Sequence, residues 1–176
     1  MPMKKIKINR APVLTLWAAV VARRLGYDAQ EALTLGKVLA GLNAQSKGRR
    51  LGIFEENKEK TKPKEIDEEK ASDIRPVMIM GRAIPALKTA DGWRAAANGK
   101  AVDPESVQKY LEQKFGERLS DAQEALETLA RSYTPKQLEA EAYSLYEKFR
   151  PKIPEGKKGW GIKGDLDLDF IRSLAR

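Results

Sequence analysis

Residues 29–47, AQEALTLGKVLAGLNAQSK, limit the folds open to this chain more than any other stretch. A helix here carries Ala32, Leu35, Leu39 and Leu42 on one stripe, with Leu33, Val38 and Ala40 on a flank. It is too apolar all round to lie on a surface with one face wet, so it belongs in a core or against a second chain. That apolar excess predicts a covering helix, either from a homodimer formed through the helix 29–47 or from the C-terminal part of the same chain. Asp28 and Glu31 form a D-x-x-E capping box at its start, and Gly48 is its expected stop. Pro12 opens an earlier helix running to about Leu25, where Gly26 can end it in a left-handed conformation. A basic, alternating arm, KKIKINR, precedes this helical hairpin.

Further on, residues 55–75 crowd charges of both signs together and read as a solvated linker or a frayed helix. PVMIMGRAIPAL then favours strand, and Asn98-Gly99 between two short apolar runs signals a type I′ hairpin. Asp103-Pro104, Ser120 with Gln123, and Thr134-Pro135 with Gln137 each open a helix, and Pro151 ends the last of these. The expected fold is mainly α: a helix-turn-helix-like N-terminal hairpin, a charged linker, and a helical C-terminal domain with a small β-hairpin. The expected division is 1–54, 55–75 and 76–176.

Composition removes much chemistry. There is no cysteine and no histidine, which excludes disulfides, thiol nucleophiles, zinc–thiolate sites and histidine-based triads. Any catalysis would rest on carboxylates, lysine, tyrosine or a hard metal ion, and no cofactor is expected. The net charge of +8 lies in residues 1–54, where ten basic residues face two acidic ones, Asp28 and Glu31. Such a localised field favours a polyanion, with a merely solubilising surface as the bland alternative. The apolar run Ala11–Ala22 is too short for a membrane span and is interrupted by Arg23 and Arg24 with no cleavage pattern after it, so a cytoplasmic protein without a membrane partner is expected.

Val21, Ala22, Leu25, Gly26, Tyr27, Ala32 and Leu35 stand at the packing and turn positions of a DNA-reading hairpin. Over residues 18–37 the chain resembles bacterial helix-turn-helix regulators. The resemblance implies that Asp28, Ala29, Gln30, Leu33, Thr34 and Lys37 face the groove, with Gln30, Thr34 and Lys37 as readers. Leu33, Asp28 and the length of the second helix fit that role poorly, and the same positions suit any tight helical hairpin. Lys4, Lys5, Lys7 and Arg10 of the arm, with Lys47, Arg49 and Arg50 at the helix end, would contact phosphates. Helix-dipole compensation is the alternative role of the latter three. RAPVLTLWAAVVARRLG, ALTLGKVLAGLNAQSKG and KGWGIKGDLDLD resemble small bacterial proteins without an assigned activity, and that likeness transfers no site residue.

GWGIKG matches a dinucleotide fingerprint letter for letter, yet only 12 residues follow Gly164, too few for the acidic partner that motif needs. It reads as a turn, with Trp160 in the core or stacked on a ligand. Asp165, Asp167 and Asp169 alternate along DLDLD; they lack the glycine and glutamate of a calcium loop, and Asp169 reads as the N-cap of a last helix. The resulting expectation is a non-catalytic binding protein for DNA or RNA. An oligomerisation or protein-interaction module and a carboxylate- or metal-dependent enzyme at those aspartates are the alternatives.

Overall fold

The computed structural model describes residues 5–50, 74–90, 92–97, 99–151 and 163–175. In chain order these form β1 (Lys5–Asn9), α1 (Arg10–Arg24), α2 (Ala29–Arg50), β2 (Ile74–Ile79), β3 (Arg82–Thr89), β4 (Gly92–Ala97) and β5 (Lys100–Ala101). There follow α3 (Pro104–Phe115), a 3₁₀ turn (Gly116–Arg118), α4 (Leu119–Arg131), α5 (Pro135–Phe149), β6 (Lys163–Asp167) and α6 (Leu168–Ser173). The fold is mixed α/β. Six strands in two antiparallel sheets, β1-β6 and β2-β3-β4-β5, correct the expectation of a mainly α chain with one small hairpin.

The larger departure is the two-stranded sheet. The arm had no visible partner in sequence, but Lys5↔Asp167, Ile6↔Leu166, Lys7↔Asp165 and Ile8↔Gly164 stand opposite one another. Both strands alternate with period two, so one face buries Ile6, Ile8 and Leu166 while the other exposes lysines against aspartates. In the four-stranded sheet, Ile74 and Arg75 come from what composition marks as linker. Residues 55–73 of that expected linker lie outside the described residues. Pro76 is tolerated because β2 is an edge strand, and Pro85, which cannot donate to β4, lies where the β3–β4 ladder starting at Ala86↔Ala95 has ended. Gly99, at φ +79°, turns β4 into β5 between Ala97 and Lys100; Asn98 lies outside the described residues.

α1 is the central helix. Every residue from Pro12 to Ala22 is buried, and the helix packs on α2, α3, α4 and α5. Small residues let α2 approach it: Ala32, Gly36 and Ala40 are buried four apart on one ridge of the helix, and Gly36 lies directly against the backbone of Thr15 and Ala19 of α1. α2 is covered on its other sides by β3, β4 and α3, so Leu35, Val38 and Leu39 are buried within the chain itself. The hairpin, the sheets and the C-terminal helices share one hydrophobic cluster.

Local signals behave unevenly. Leu25 is the C-cap of α1, and Gly26 follows at φ +111°. Thr134 and Gln137 make the full reciprocal capping box, and Asp103 caps α3. Ser120 is not a cap, because the 3₁₀ turn feeds α4 directly and the helix is already under way at Leu119. Gly48 does not stop α2, which continues to Arg50. Asp167, not Asp169, caps α6: its Oδ1 accepts the Phe170 N–H at 3.1 Å, since the strand runs on to Asp167. Trp160 and the greater part of GWGIKG lie outside the described residues.

Candidate nucleic-acid interface

Of the basic residues singled out in sequence, Lys5, Lys7, Arg10 and Lys37 have described side chains. Lys4 and the side chains of Lys47, Arg49 and Arg50 lie outside the described residues. Lys5 and Lys7 are exposed, but Lys7 Nζ sits 2.9 Å from Asp165 Oδ1, so the acidic strand answers the basic arm. The hydrogen bond from Lys7, followed by its charge, holds the Asp165 carboxyl below the usual carboxylate range. A depressed folded-state value means that the stabilisation is present above the unfolded value and is lost as pH falls through the folded one. Asp165→Asn is therefore expected to lower the melting temperature slightly at neutral pH, with the two curves converging in acid. Melting scans from pH 7 downward check this, and curves that stay parallel would contradict it.

Arg10 turns inward and donates from Nε to the Pro151 carbonyl at 2.9 Å. Thr34 is fully buried; its hydroxyl donates to the Glu31 carbonyl at 2.7 Å and accepts the Ala95 N–H at 2.8 Å. The backbone of β4 thus occupies the place a DNA groove would take on that face of α2. Lys37 Nζ lies 3.8 Å from the Tyr110 ring centroid on α3, and burial, then Lys114, push its pKa down. Of the three expected readers only Gln30 stands exposed without such an engagement.

What the fold does bring together is a cluster that sequence reasoning distributed among three unrelated roles. Asp28 Oδ1 accepts the Glu31 N–H at 2.9 Å, as a cap should. The Glu31 side chain does not return the bond; both its oxygens accept from Arg75 Nη2, at 3.0 and 2.9 Å. This carboxylate is 4% exposed and the Arg75 side chain 41%, so Glu31 is the buried anchor and Arg75 the group reaching the surface. The row Arg75, Ala86, Ala95 runs across three strands, and the small Ala86 lets the guanidinium lean over β3 to Trp93. Its carbon lies 4.4 Å from the Trp93 ring centroid and 6.0 Å from that of Tyr27. Lys88, opposite Trp93 across the ladder, holds its ammonium 5.6 Å from the same indole ring.

Cations over an indole face are attracted by the ring quadrupole, and Glu31 sets the guanidinium plane. Half-exposed rings alternating with cations make a surface suited to stacking a base and pairing a phosphate. The signal available in sequence was weak: a glutamate at the third position of an apolar helix reads as a cap, and Arg75 reads as linker charge. Neither a family model, nor a curated protein, nor a solved structure matches the chain. Among the described residues no helix is long and apolar enough to cross a membrane.

Proposed function

We propose that this protein is a non-catalytic nucleic-acid-binding protein that takes single-stranded DNA or RNA on the surface formed by Tyr27, Arg75, Lys88 and Trp93. The observation that carries the reading is the Trp93 ring flanked by Arg75 and Lys88. Bases stack on aromatic rings regardless of sequence, while neighbouring cations follow the backbone. The excess of basic residues, +8 over the whole chain, supports the same class of partner by raising its local concentration. Insertion of α2 into a duplex groove is not part of the proposal, because Thr34 bonds to the sheet.

Anisotropy titrations against labelled single-stranded DNA, single-stranded RNA and duplex at two salt concentrations test it. Trp93→Ala is expected to weaken single-strand binding by about tenfold or more, the stacking contribution of one base. Lys88→Ala should flatten the dependence of log affinity on log salt by about 0.7, the change for one phosphate contact on a single strand. Tighter binding to duplex, lost in Gln30→Ala and untouched in Trp93→Ala, would overturn the single-strand reading in favour of groove recognition. No binding to any of the three at about 50 mM salt, where electrostatic contacts are strong, would overturn the nucleic-acid reading altogether.

A further inference from the structure

Lys37 is one of two cations gathered on a single ring. Its Nζ lies 3.8 Å from the Tyr110 centroid, and Lys114, one turn beyond Tyr110 on α3, holds its own Nζ 6.0 Å from the same point. The ring is half-buried against the core, while both lysines are exposed. Each ammonium is attracted by the ring quadrupole and repelled by the other. Among the described residues neither forms an ion pair. Glu112, the acidic residue nearest to Tyr110 along α3, accepts from the Gln108 side chain at 3.1 Å instead. Two cations therefore meet at the surface between α2 and α3 with no carboxylate to answer them.

The course of α2 relates this pair to the Trp93 surface. Gln30, Leu33, Lys37 and Gly41 follow one another at steps of three and four residues and so share one side of the helix. Gln30, Lys37 and Gly41 are exposed and Leu33 is half-buried. The stripe begins three residues after Tyr27, whose ring lies 6.0 Å from the Arg75 guanidinium carbon, and reaches Lys37 about 10 Å further along the helix axis. Gly41 leaves the far end open, because a Cβ there would meet nothing within 4 Å. The exposed side of α2 thus leads from the Tyr27 edge of the Trp93 surface to the Tyr110 ring.

We propose that Lys37 and Lys114, gathered on Tyr110, form a second contact, for the phosphate backbone of the same single strand whose base stacks on Trp93. The inference rests on that reading and adds the direction in which the strand leaves the indole, along the exposed side of α2 toward α3. A single strand carries a negative charge at every nucleotide, so it can set phosphates beside the two lysines while one of its bases stays on Trp93. The anion also relieves the repulsion between the ammoniums. Two contacts on one strand reinforce each other, because the first holds the second at high effective concentration.

The test titrates the full chain with a labelled single strand of about twelve nucleotides, within the site sizes of single-strand binders, over a series of salt concentrations. Lys37→Gln combined with Lys114→Gln is expected to flatten the dependence of log affinity on log salt by about 1.4, the change for two phosphate contacts on a single strand, and to weaken binding by about tenfold or more at low salt. Lys136→Gln combined with Lys148→Gln makes the same change of charge at two exposed positions of α5 and should leave the slope nearly unaltered. Added to Trp93→Ala, the Lys37 and Lys114 changes should weaken binding by a further factor of the same size, because the two contacts are separate. An unchanged slope in the Lys37 and Lys114 variant, or a loss equalled by the α5 pair, overturns the second contact even where Trp93→Ala weakens the strand as expected. A wild type that binds no strand overturns the Trp93 reading itself, and this inference with it.

Discussion

Gly36→Ala is expected to destabilise the protein by about 3 kcal/mol or to prevent folding, although the change adds only one methyl group and improves helix propensity by about 1 kcal/mol. The new Cβ would fall inside van der Waals contact of the Thr15 carbonyl oxygen and 3.1 Å from the Ala19 nitrogen. Both are backbone atoms of α1, which is buried from Pro12 to Ala22 and packed on several sides, so neither helix can retreat without opening the core. With a urea dependence of about 2 kcal/mol per molar, the unfolding midpoint should drop by about 1.5 M with the slope unchanged. A midpoint within about 0.3 M of the wild type would show that the helices do not approach as closely as this ridge requires.

Trp17→Ala should cost about 4 kcal/mol. Trp17 is fully buried, meets Phe149 edge-to-face at 5.3 Å and 87°, and donates from Nε1 to the Ala142 carbonyl at 2.9 Å. It therefore joins α1 to α5 by dispersion, ring geometry and one hydrogen bond. Trp17→Phe keeps most of the volume and loses the hydrogen bond, for an expected cost of about 1–2 kcal/mol. Denaturant unfolding of both variants separates the contributions. Equal losses would mean that the hydrogen bond rather than ring burial holds α5 in place.

The local features that sequence patterning marked out depend on groups three or four residues apart. Thr134 and Gln137 satisfy each other across one turn, Asp103 reaches the Glu105 N–H, and Gly26 alone supplies the positive φ that lets α1 end. The apolar faces of α3, α4 and α5 follow the 3.6-residue period that places Val107, Leu111 and Phe115, or Leu138, Ala142 and Leu145, on one side. These contacts close within the segment, so a single window of residues contains both partners. The absence of cysteine and histidine likewise settles which side-chain chemistry is unavailable before any folding is considered.

The pairings between distant segments were not contained in any window. β1 and β6 are five-residue strands near opposite ends of the chain, and each alternates too briefly to announce its partner; only their juxtaposition turns a basic arm and an acidic run into Lys7–Asp165. Thr34 and Glu31 sit on exposed-looking helical positions in sequence, yet the larger sheet converts one into a hydrogen-bond partner of Ala95 and the other into the buried anchor of Arg75. Arg10 belongs by composition to a polyanion-binding arm, whereas the Pro151 carbonyl, just past the end of α5, accepts from its Nε. Sequence by itself therefore determined where the helices lie, the ends set by Gly26, Asp103, Thr134 and Pro151, and the classes of chemistry open to this protein, because those follow from covalent identity and interactions within one turn. Tertiary structure decided which charges are spent on each other and which remain at the surface, because desolvation and ion pairing depend on what lies across the core, and no property of a residue's own neighbours along the chain records it.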